Sequence, residues 1–568
     1  MSSEQVSGSL IARNYANFRG VDFSNRKDEI SLYRSPDARN MWKNYKNDTG
    51  KCVEVRPNIE LLKEYSDTIF GLFFYTVNGV EYKIVHSGTN LYKEDEVIYT
   101  NMARHISKFF VYGDYLYIKD GSSYLVYDGT EVKEVEGYIP RTTISRSPSG
   151  GGTTYEDVNL LTGIRKNSFC ADGESTEYFL DVPSIDSEYM VKAWINDEET
   201  TDFTVDYSAG KVTFTTAPPE PLTDGQDNVF IQFRKTVEGY RDRIDKCTLL
   251  EVFDNRVFFS GNPDYPNILW HCSLDDPTYC SDLDYYTEGN DDAKVKSIVA
   301  GNNALWVLKE PSQNNTTIFY HNPTIDADYG KIYPSSHSSI STGCVTRGIN
   351  FQDTICFFSE RGLEAITGDV TTEQAITHSS SLVDSRLLNE VKYKDMLLEE
   401  WEGYLFVIVG NKVYLADSRA LVTVNDHNEY EWFYWEFDKD ITSTCVKNGV
   451  LYLCSDNSIY TLTDYSSDRV VDAYWTTLAD EFKYPQYQKT TNKKGCVVDM
   501  EGSEINIYAK TDNKNFDLIK TYQNVKGYVV AKIKKKKWKN IQLKFESNKP
   551  FSLYSCTLEA YVGAYVKR

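Results

Sequence analysis

The chain has 568 residues, with 61 basic and 83 acidic side chains giving a net charge of −22 and a pI near 4.9, a balance that excludes a broad phosphate-binding surface. Hydrophobic residues make up 41% and charged residues 25%, the composition of a globular chain, and no apolar run approaches the roughly 18 residues of a membrane span. The first residues, MSSEQVSGSL, lack the basic and apolar regions of a secretory leader, so synthesis in a cytoplasm is expected. Tyrosine occurs 43 times and aromatics reach 14%; with helical periodicity almost absent, this predicts an all-β protein.

In chain order, the first informative stretch is residues 17–58. Ser35, Pro36 and Asp37 read as a helix start: a capping hydroxyl, a proline at the first helical position and an acid in the first turn. Ala38, Met41, Trp42 and Tyr45 follow at i, i+3, i+4 and i+7, which predicts a short helix with one apolar face. Residues 47–50 (NDTG) read as a turn, and residues 51–56 as a strand stopped by Pro57.

Strand-turn-strand units then recur: residues 108–119 around Gly113-Asp114, 249–259 around Asp254-Asn255, 295–308 around Gly301-Asn302-Asn303, 349–358, 397–416 with turns at Glu402-Gly403 and Gly410-Asn411, and 443–462 with turns at Asn448-Gly449 and Asp456-Asn457. About four short strands every 45–55 residues or so predicts propeller blades, about six of them, the first from residues 69–135. A large sandwich or barrel is the competing architecture. The strand at 51–56 is expected to close the ring against the last blade.

The pattern breaks at Pro140. A Ser/Gly-rich piece, residues 145–152, reads as flexible, and hairpins up to residue 235 predict a β-sandwich inserted between blades. After about residue 480 a second run of alternating strands, at 495–500, 504–510, 517–522, 527–532, 539–546 and 556–566, predicts a C-terminal β-sandwich. The expected division is 1–68 (docking segment with short helix and closing strand), 69–138 (propeller, first part), 139–239 (inserted sandwich), 240–480 (remaining propeller) and 481–568 (C-terminal sandwich). Lys534 to Lys537 before Trp538 read as edge-guarding lysines, or as a contact to an acidic surface of another subunit, ahead of a nucleic-acid site.

The passages NFRGVD at 17–22, RSPDA at 34–38 with its Asn-Met pair, and Gly50-Lys51 before a strand ending in Arg56-Pro57 resemble the N-terminus of β-propeller-based tail proteins of tailed bacteriophages, the neck, nozzle and stabilisation proteins. Residues 258–308 and 341–368, and the basic hairpin before the last strands, are similar to later parts of the same proteins. The resemblance implies a structural virion protein of the tail: a ring of copies of itself, sixfold, below the portal and adaptor, docked to other tail or fibre proteins, with genomic DNA passing through and no sequence-specific binding. It implies a location in the virion tail after synthesis in the bacterial host cytoplasm. Arg34, Ser35, Pro36, Asp37, Met41 and Trp42 are the candidate docking residues, anchoring the N-terminal segment on the propeller or on a neighbouring subunit. An acidic channel would let phosphates slide past.

The rival is an enzyme, since propellers also carry glycoside hydrolases. Its candidate carboxylates are Glu399, Glu400 and Glu402 in LEEWEGY, and Asp282, Asp284, Glu288, Asp291 and Asp292 in an acidic loop. A glycan-binding adhesin would use Trp432, Tyr434 and Trp435 as a platform, although an alternating strand of this kind is more often half core. Eleven cysteines without a CxxC pair read as buried reduced thiols, and seven scattered histidines give no metal spacing. Phosphate loops, HExxH and GxSxG elbows do not occur in the sequence. No catalysis, cofactor or metal is therefore expected.

Overall fold

The computed structural model describes residues 8–48, 51–77, 79–312, 316–327, 330–338, 341–367, 375–424, 427–463 and 470–565. Its regular structure is overwhelmingly β, with helices of at most six residues. The chain divides into two compact units, residues 73–343 and residues 1–72 with 344–568.

In the unit of residues 73–343, antiparallel four-stranded sheets follow one another in sequence. Lys108–Tyr112, Tyr115–Lys119, Tyr124–Tyr127 and Val132–Glu134 form one; Leu249–Phe253, Arg256–Ser260, Ile268–His271 and Tyr285–Thr287 the next. Val295–Gly301, Ala304–Lys309, Ile318–His321 and Ser335–His337 form another. Their first strands run side by side. The sheets stack face to face. Leu116, Ile118 and Leu125 pack with Tyr75, Ile84 and Leu91, while Phe110, Tyr117 and Tyr124 face Val257, Phe259 and Trp270. Phe258 and Leu269 in turn meet Leu305, Val307 and Phe319. A sheet buried on both faces needs apolar residues at consecutive positions, which is why runs such as FFVYGDYLYI lack a clean two-residue alternation.

The hairpin turns follow their sequences. Asp254 and Asn255 have φ of 52° and 59°, and Asn302 and Asn303 have 55° and 58°. This left-handed pair is the turn whose twist matches paired strands, and Asn and Asp tolerate it best after glycine.

Residues 139–239 form a six-stranded sheet, including Ile164–Phe169 and Val229–Arg234, and a three-stranded sheet of Glu177–Phe179, Phe203–Asp206 and Lys211–Phe214. Phe169, Tyr178, Val212, Phe214, Ile231 and Phe233 make one core cluster drawn from both. The Ser/Gly-rich piece is not a flexible linker. Arg146 Nη1 donates to the Gly151 carbonyl at 2.6 Å and Ser147 Oγ to the Gly150 carbonyl at 2.7 Å, so the side chains flanking the glycines tie them into a tight loop.

In the other unit, Gly348–Phe351, Thr354–Ser359, Gly362–Ile366 and Ile376–His378 form a four-stranded sheet, and Ser443–Lys447, Val450–Ser455 and Ser458–Thr463 form a second completed by Asn58–Glu64. The N-terminal strand that joins this sheet is thus Asn58–Glu64 and not residues 51–56. Pro57 separates the two, and Val53–Val55 instead pairs with Met41–Trp42 and with Phe551–Tyr565. Leu397–Trp401, Tyr404–Val409, Lys412–Val424 and His427–Glu436 form a further antiparallel run inside a 14-stranded sheet that continues into the C-terminal strands.

Those C-terminal strands are longer than expected. Residues 495–500 and 504–510 belong to one 25-residue strand, Tyr487–Thr511, and 517–522 and 527–532 merge into Asp517–Ala531. Gly502, in the gap expected as a turn, has another role. A Cβ at Gly502 would lie 2.7 Å from the Phe551 Cβ, so glycine there permits the neighbouring strand's close approach; Gly527, at φ 100°, sits within its strand. The C-terminal strands therefore share sheet and core with residues 397–436 and do not form a separate body after 480.

Residues 36–45 do not form the predicted helix. Ala38–Arg39 pairs with Ala473–Thr476, and Met41 pairs with both Val55 and Tyr434. Asn40, between them, is left-handed at φ 58°, and its side chain receives Arg56 Nε at 2.9 Å and the Glu436 N–H at 2.8 Å while donating to the Asp472 carbonyl. Three long-range strand partners outweigh a marginal helical spacing. The helix that does form is a single turn, Tyr45–Asp48; the turn expected at 47–50 lies partly outside the described residues.

Nine of the eleven cysteines are buried. Among the described residues no cluster of His, Cys, Asp and Glu is placed to hold a metal ion, and no helix is long and apolar enough to cross a membrane.

Candidate functional site

The stretch that carries the resemblance is threaded through the core of its unit. Gly20, at φ 84°, sits so close to the next segment that a Cβ would lie 2.0 Å from the Trp432 carbonyl oxygen, and the adjacent Val21 N–H donates to that oxygen at 2.7 Å. Only glycine meets both demands. Ser35 is fully buried, and its Oγ accepts from the Asp37 N–H at 3.2 Å and the Thr476 N–H at 3.4 Å. Its local bond to Asp37 is of the kind that a cap would make, without the helix. Pro36 is buried beside it. Asp37 accepts from Tyr474 Oη at 3.0 Å and faces Arg386 at 3.7 Å.

Arg34 is buried with Lys43 in a charged cluster around Glu431, with Arg19 Nε 3.6 Å from its carboxylate. Burial raises the Glu431 carboxyl to about 7 against the opposing pull of Lys43, Arg19 and Arg34, because desolvation disfavours the charged form. Burial likewise lowers Arg34 and Lys43 from their ordinary values.

Met41 and Trp42 are buried. Trp42 lies between Trp435, edge-on at 5.1 Å, and Trp401, stacked at 6.0 Å and 13°. Beyond Trp401 opens a groove of about 330 Å³ lined also by Tyr45, Lys46, Glu402 and Arg419. Its walls are fixed. Trp401 Nε1 donates to the Gly449 carbonyl at 2.8 Å; the Arg419 guanidinium lies 3.6 Å over the Tyr45 ring and is held by buried Asp417 at 3.1 Å, which also accepts from Tyr45 Oη at 2.6 Å. Glu402, at the left-handed turn position with φ 52°, pairs with Lys46 at 2.5 Å. Flat apolar faces with a cation and an anion at the rim can hold a planar or peptide-like group. Glu402 is the single carboxylate among the groove's lining residues, whereas glycoside hydrolysis uses two across one bond.

Of the other acids named for an enzyme, Glu399, Glu400 and Glu288 are each held in a structural contact of their own. Glu399 accepts from Thr444 Oγ1 at 3.0 Å, and Glu400 from Gln352. Glu288, fully buried, faces His321 Nε2 at 3.0 Å and accepts from Ser335 Oγ at 2.8 Å. Burial and then the charge of Asp157 raise Asp282, and burial raises Asp284 to about 6 with Asp157 and Asp282 adding to it against the pull of Arg256; Asp291 and Asp292 are exposed. Trp432, Tyr434 and Trp435 are core, at most 4% exposed, more buried than the half-core strand expected, and the alternative glycan platform does not form. The roles of Asn40, Trp401 and Arg419 are not legible in the sequence: Trp401 lies in LEEWEGY, where the acids are the conspicuous feature, and Arg419 carries no local signal, because its Tyr45 partner is distant in sequence.

No protein-family model matches the chain, and no curated relative matches it. Solved structures similar to it include BamB from Moraxella catarrhalis, at 10% identity over 72% of this chain and 98% of that one with a TM-score of 0.32. YCF48 bound to D1 peptide aligns at 6% identity over 73% and 97% with a TM-score of 0.30. The exo-β-1,3-galactanase of Phanerochaete chrysosporium aligns at 8% identity over 88% and 100% with a TM-score of 0.17. Similarities at this level say nothing of what the chain does.

Proposed function

We propose that this chain is a structural component of a tailed-phage tail, a neck, muzzle or nozzle subunit: a β-propeller built from the serial four-stranded sheets, with residues 139–239 as an inserted β-sandwich. Copies form a closed ring below the portal and adaptor, and DNA leaves through it. The observation that carries this reading is the role of the N-terminal stretch. The residues that resemble phage tail proteins, from Gly20 to Pro57, are spent on tying distant strands together, with Met41 against Tyr434 and Ser35 against Thr476, which is what a load-carrying scaffold needs. A closed ring requires heterologous contacts, and a tyrosine-rich surface supplies rigid ones.

The test is quantitative mass spectrometry of purified particles from the source culture, comparing copies of this chain with copies of the portal. A small fixed ratio is expected; absence from the particles overturns the reading.

The groove beside Trp401 favours a second reading, a glycan-binding adhesin. Under it, Trp401→Ala abolishes retention of host-surface glycan on a glycan array; wild-type protein that retains no glycan removes it.

A further inference from the structure

The strand Asp517–Ala531 has one strand neighbour among the described residues, Tyr487–Thr511. Among the described residues no strand pairs with its other edge. Fifteen residues is a long edge, and edges of this length are templates for another strand unless they are blunted.

The side chains along it divide by face. Ile519, Val525 and Val529 turn inward and pack against the core. Leu518, Tyr528 and Val530 turn outward and are 54%, 75% and 50% exposed, and Val497, paired with Val530, adds to the same patch. Lys520 and Lys526 stand on the same outer row. The chain then runs directly into Lys532 and Lys534 to Lys537, most of them exposed.

The charge of this segment is opposite to that of the molecule. Residues 513–540 hold nine lysines and one acid, Asp517, while the whole chain stands at −22, so the remaining 540 residues carry −30. A strip of +8 on a body of −30 is complementary to any second copy. Lysines that only guard an edge would be set among polar neighbours; here they flank exposed Tyr528 and Val530, the apolar centre and charged rim of an interface. Nucleic acid is disfavoured as the occupant by the repulsion of the acidic remainder.

From this we infer that residues 514–539 form a self-docking surface, whose other edge and lysine run seat on an acidic surface of a second copy of this chain. The inference rests on the ring reading above and names the contact that builds it. Because the docked surface is not the docking strand itself, the contact is heterologous and propagates around a ring.

The test uses the full chain in sedimentation velocity from about 50 mM to about 500 mM salt, with exposed charge pairs weakening as the screening length shortens. Three proteins are compared: wild type, the triple variant K526E/K534E/K536E, and Tyr528→Asp. Wild type is expected to form a discrete oligomer at low salt and to lose about tenfold or more in association at high salt. Both variants are expected to remain monomeric at low salt with unchanged melting temperatures, as all four side chains are exposed. Carbodiimide cross-linking of mixed isotope-labelled copies is expected to join these lysines to carboxylates of the other copy.

Variants that assemble as wild type does, intermolecular cross-links that exclude 514–539, or wild type that stays monomeric at every salt each overturn the inference. So does a triple variant that loses only the binding of labelled double-stranded DNA while assembling normally, since that makes the segment a nucleic-acid contact. The particle measurement separates the two claims. Ring-level copy number in particles whose variant subunits assemble normally refutes this surface alone; absence from particles refutes the tail reading alone when the purified chain still self-docks through the edge.

Discussion

At the residue scale, Gly20 and Trp42 do the same work by opposite means. Gly20 lets two backbones touch, and any Cβ there strikes the Trp432 carbonyl. Gly20→Ala is expected to cost more than about 1 kcal/mol, from both the clash and the left-handed φ, measured by denaturant unfolding. Trp42 fills the space between Trp401, Tyr404 and Trp435, and Trp42→Ala is expected to cost about 3–5 kcal/mol as a core truncation. Unchanged unfolding of Trp42→Ala discards its anchoring role. Glu431 gives a pH signature. Its carboxyl sits at about 7 in the fold against an ordinary 4.5, so folding favours its protonated form. The stability it lends is full below about 4.5 and is lost as pH rises through about 7. Glu431→Gln should remove this component of the slope between pH 5 and pH 8, roughly the window set by those values; a variant with the wild-type slope assigns it to other groups.

At the scale of elements, the first and last described strands belong to one sheet. Leu10–Ala16 pairs along Phe551–Tyr565, and Tyr15 Oη reaches Asp480 at 2.8 Å. Removing residues 1–16 is expected to lower the melting temperature and speed amide exchange in residues 551–565, read by hydrogen-exchange mass spectrometry. Unchanged protection there would mean that the strand is not part of the cooperative unit. Elements also show where local sequence was legible. Asp254-Asn255, Asn302-Asn303 and Asn448-Gly449 read as turns and are turns, because a two-residue hairpin is decided by the residues in it. Gly502 lies in the gap read as a turn between 500 and 504 and is inside a strand, since glycine serves equally for close strand approach, and only the neighbouring strand selects between them.

For the whole molecule, the charge of −22 gathers meaning from its exception. Under the self-docking inference, a lysine-rich edge on an acidic body makes association salt-sensitive and directional, which the proposed ring requires. An acidic lumen, the expectation for DNA passage, is testable in the same particles: a cryo-EM map with a basic channel wall would remove it. The dispersed carboxylates set a further expectation. Glu402→Gln should break the Lys46 pair with less than about 1 kcal/mol of stability lost, as for an exposed pair, and leave particle assembly unchanged. A loss of infectivity with normal assembly would point instead to a working role for the groove.

The sequence by itself determined the class, all-β, through its tyrosine content and serial turns, and it located the hairpins, the break at Pro140 and the stretch from residue 17 to 58 on which much depends. Those properties are local: propensity, turn chemistry and composition act within a few residues. Only the tertiary structure decided that Ala38 to Trp42 are extended, that Asn58–Glu64 completes the last four-stranded sheet, that the C-terminal strands join the 14-stranded sheet, and that Trp401, Arg419 and Tyr45 share one groove. Each depends on partners hundreds of positions away, as with Ser35 and Thr476 or Met41 and Tyr434. A strand exists only against its neighbour, and the neighbour is not written beside it.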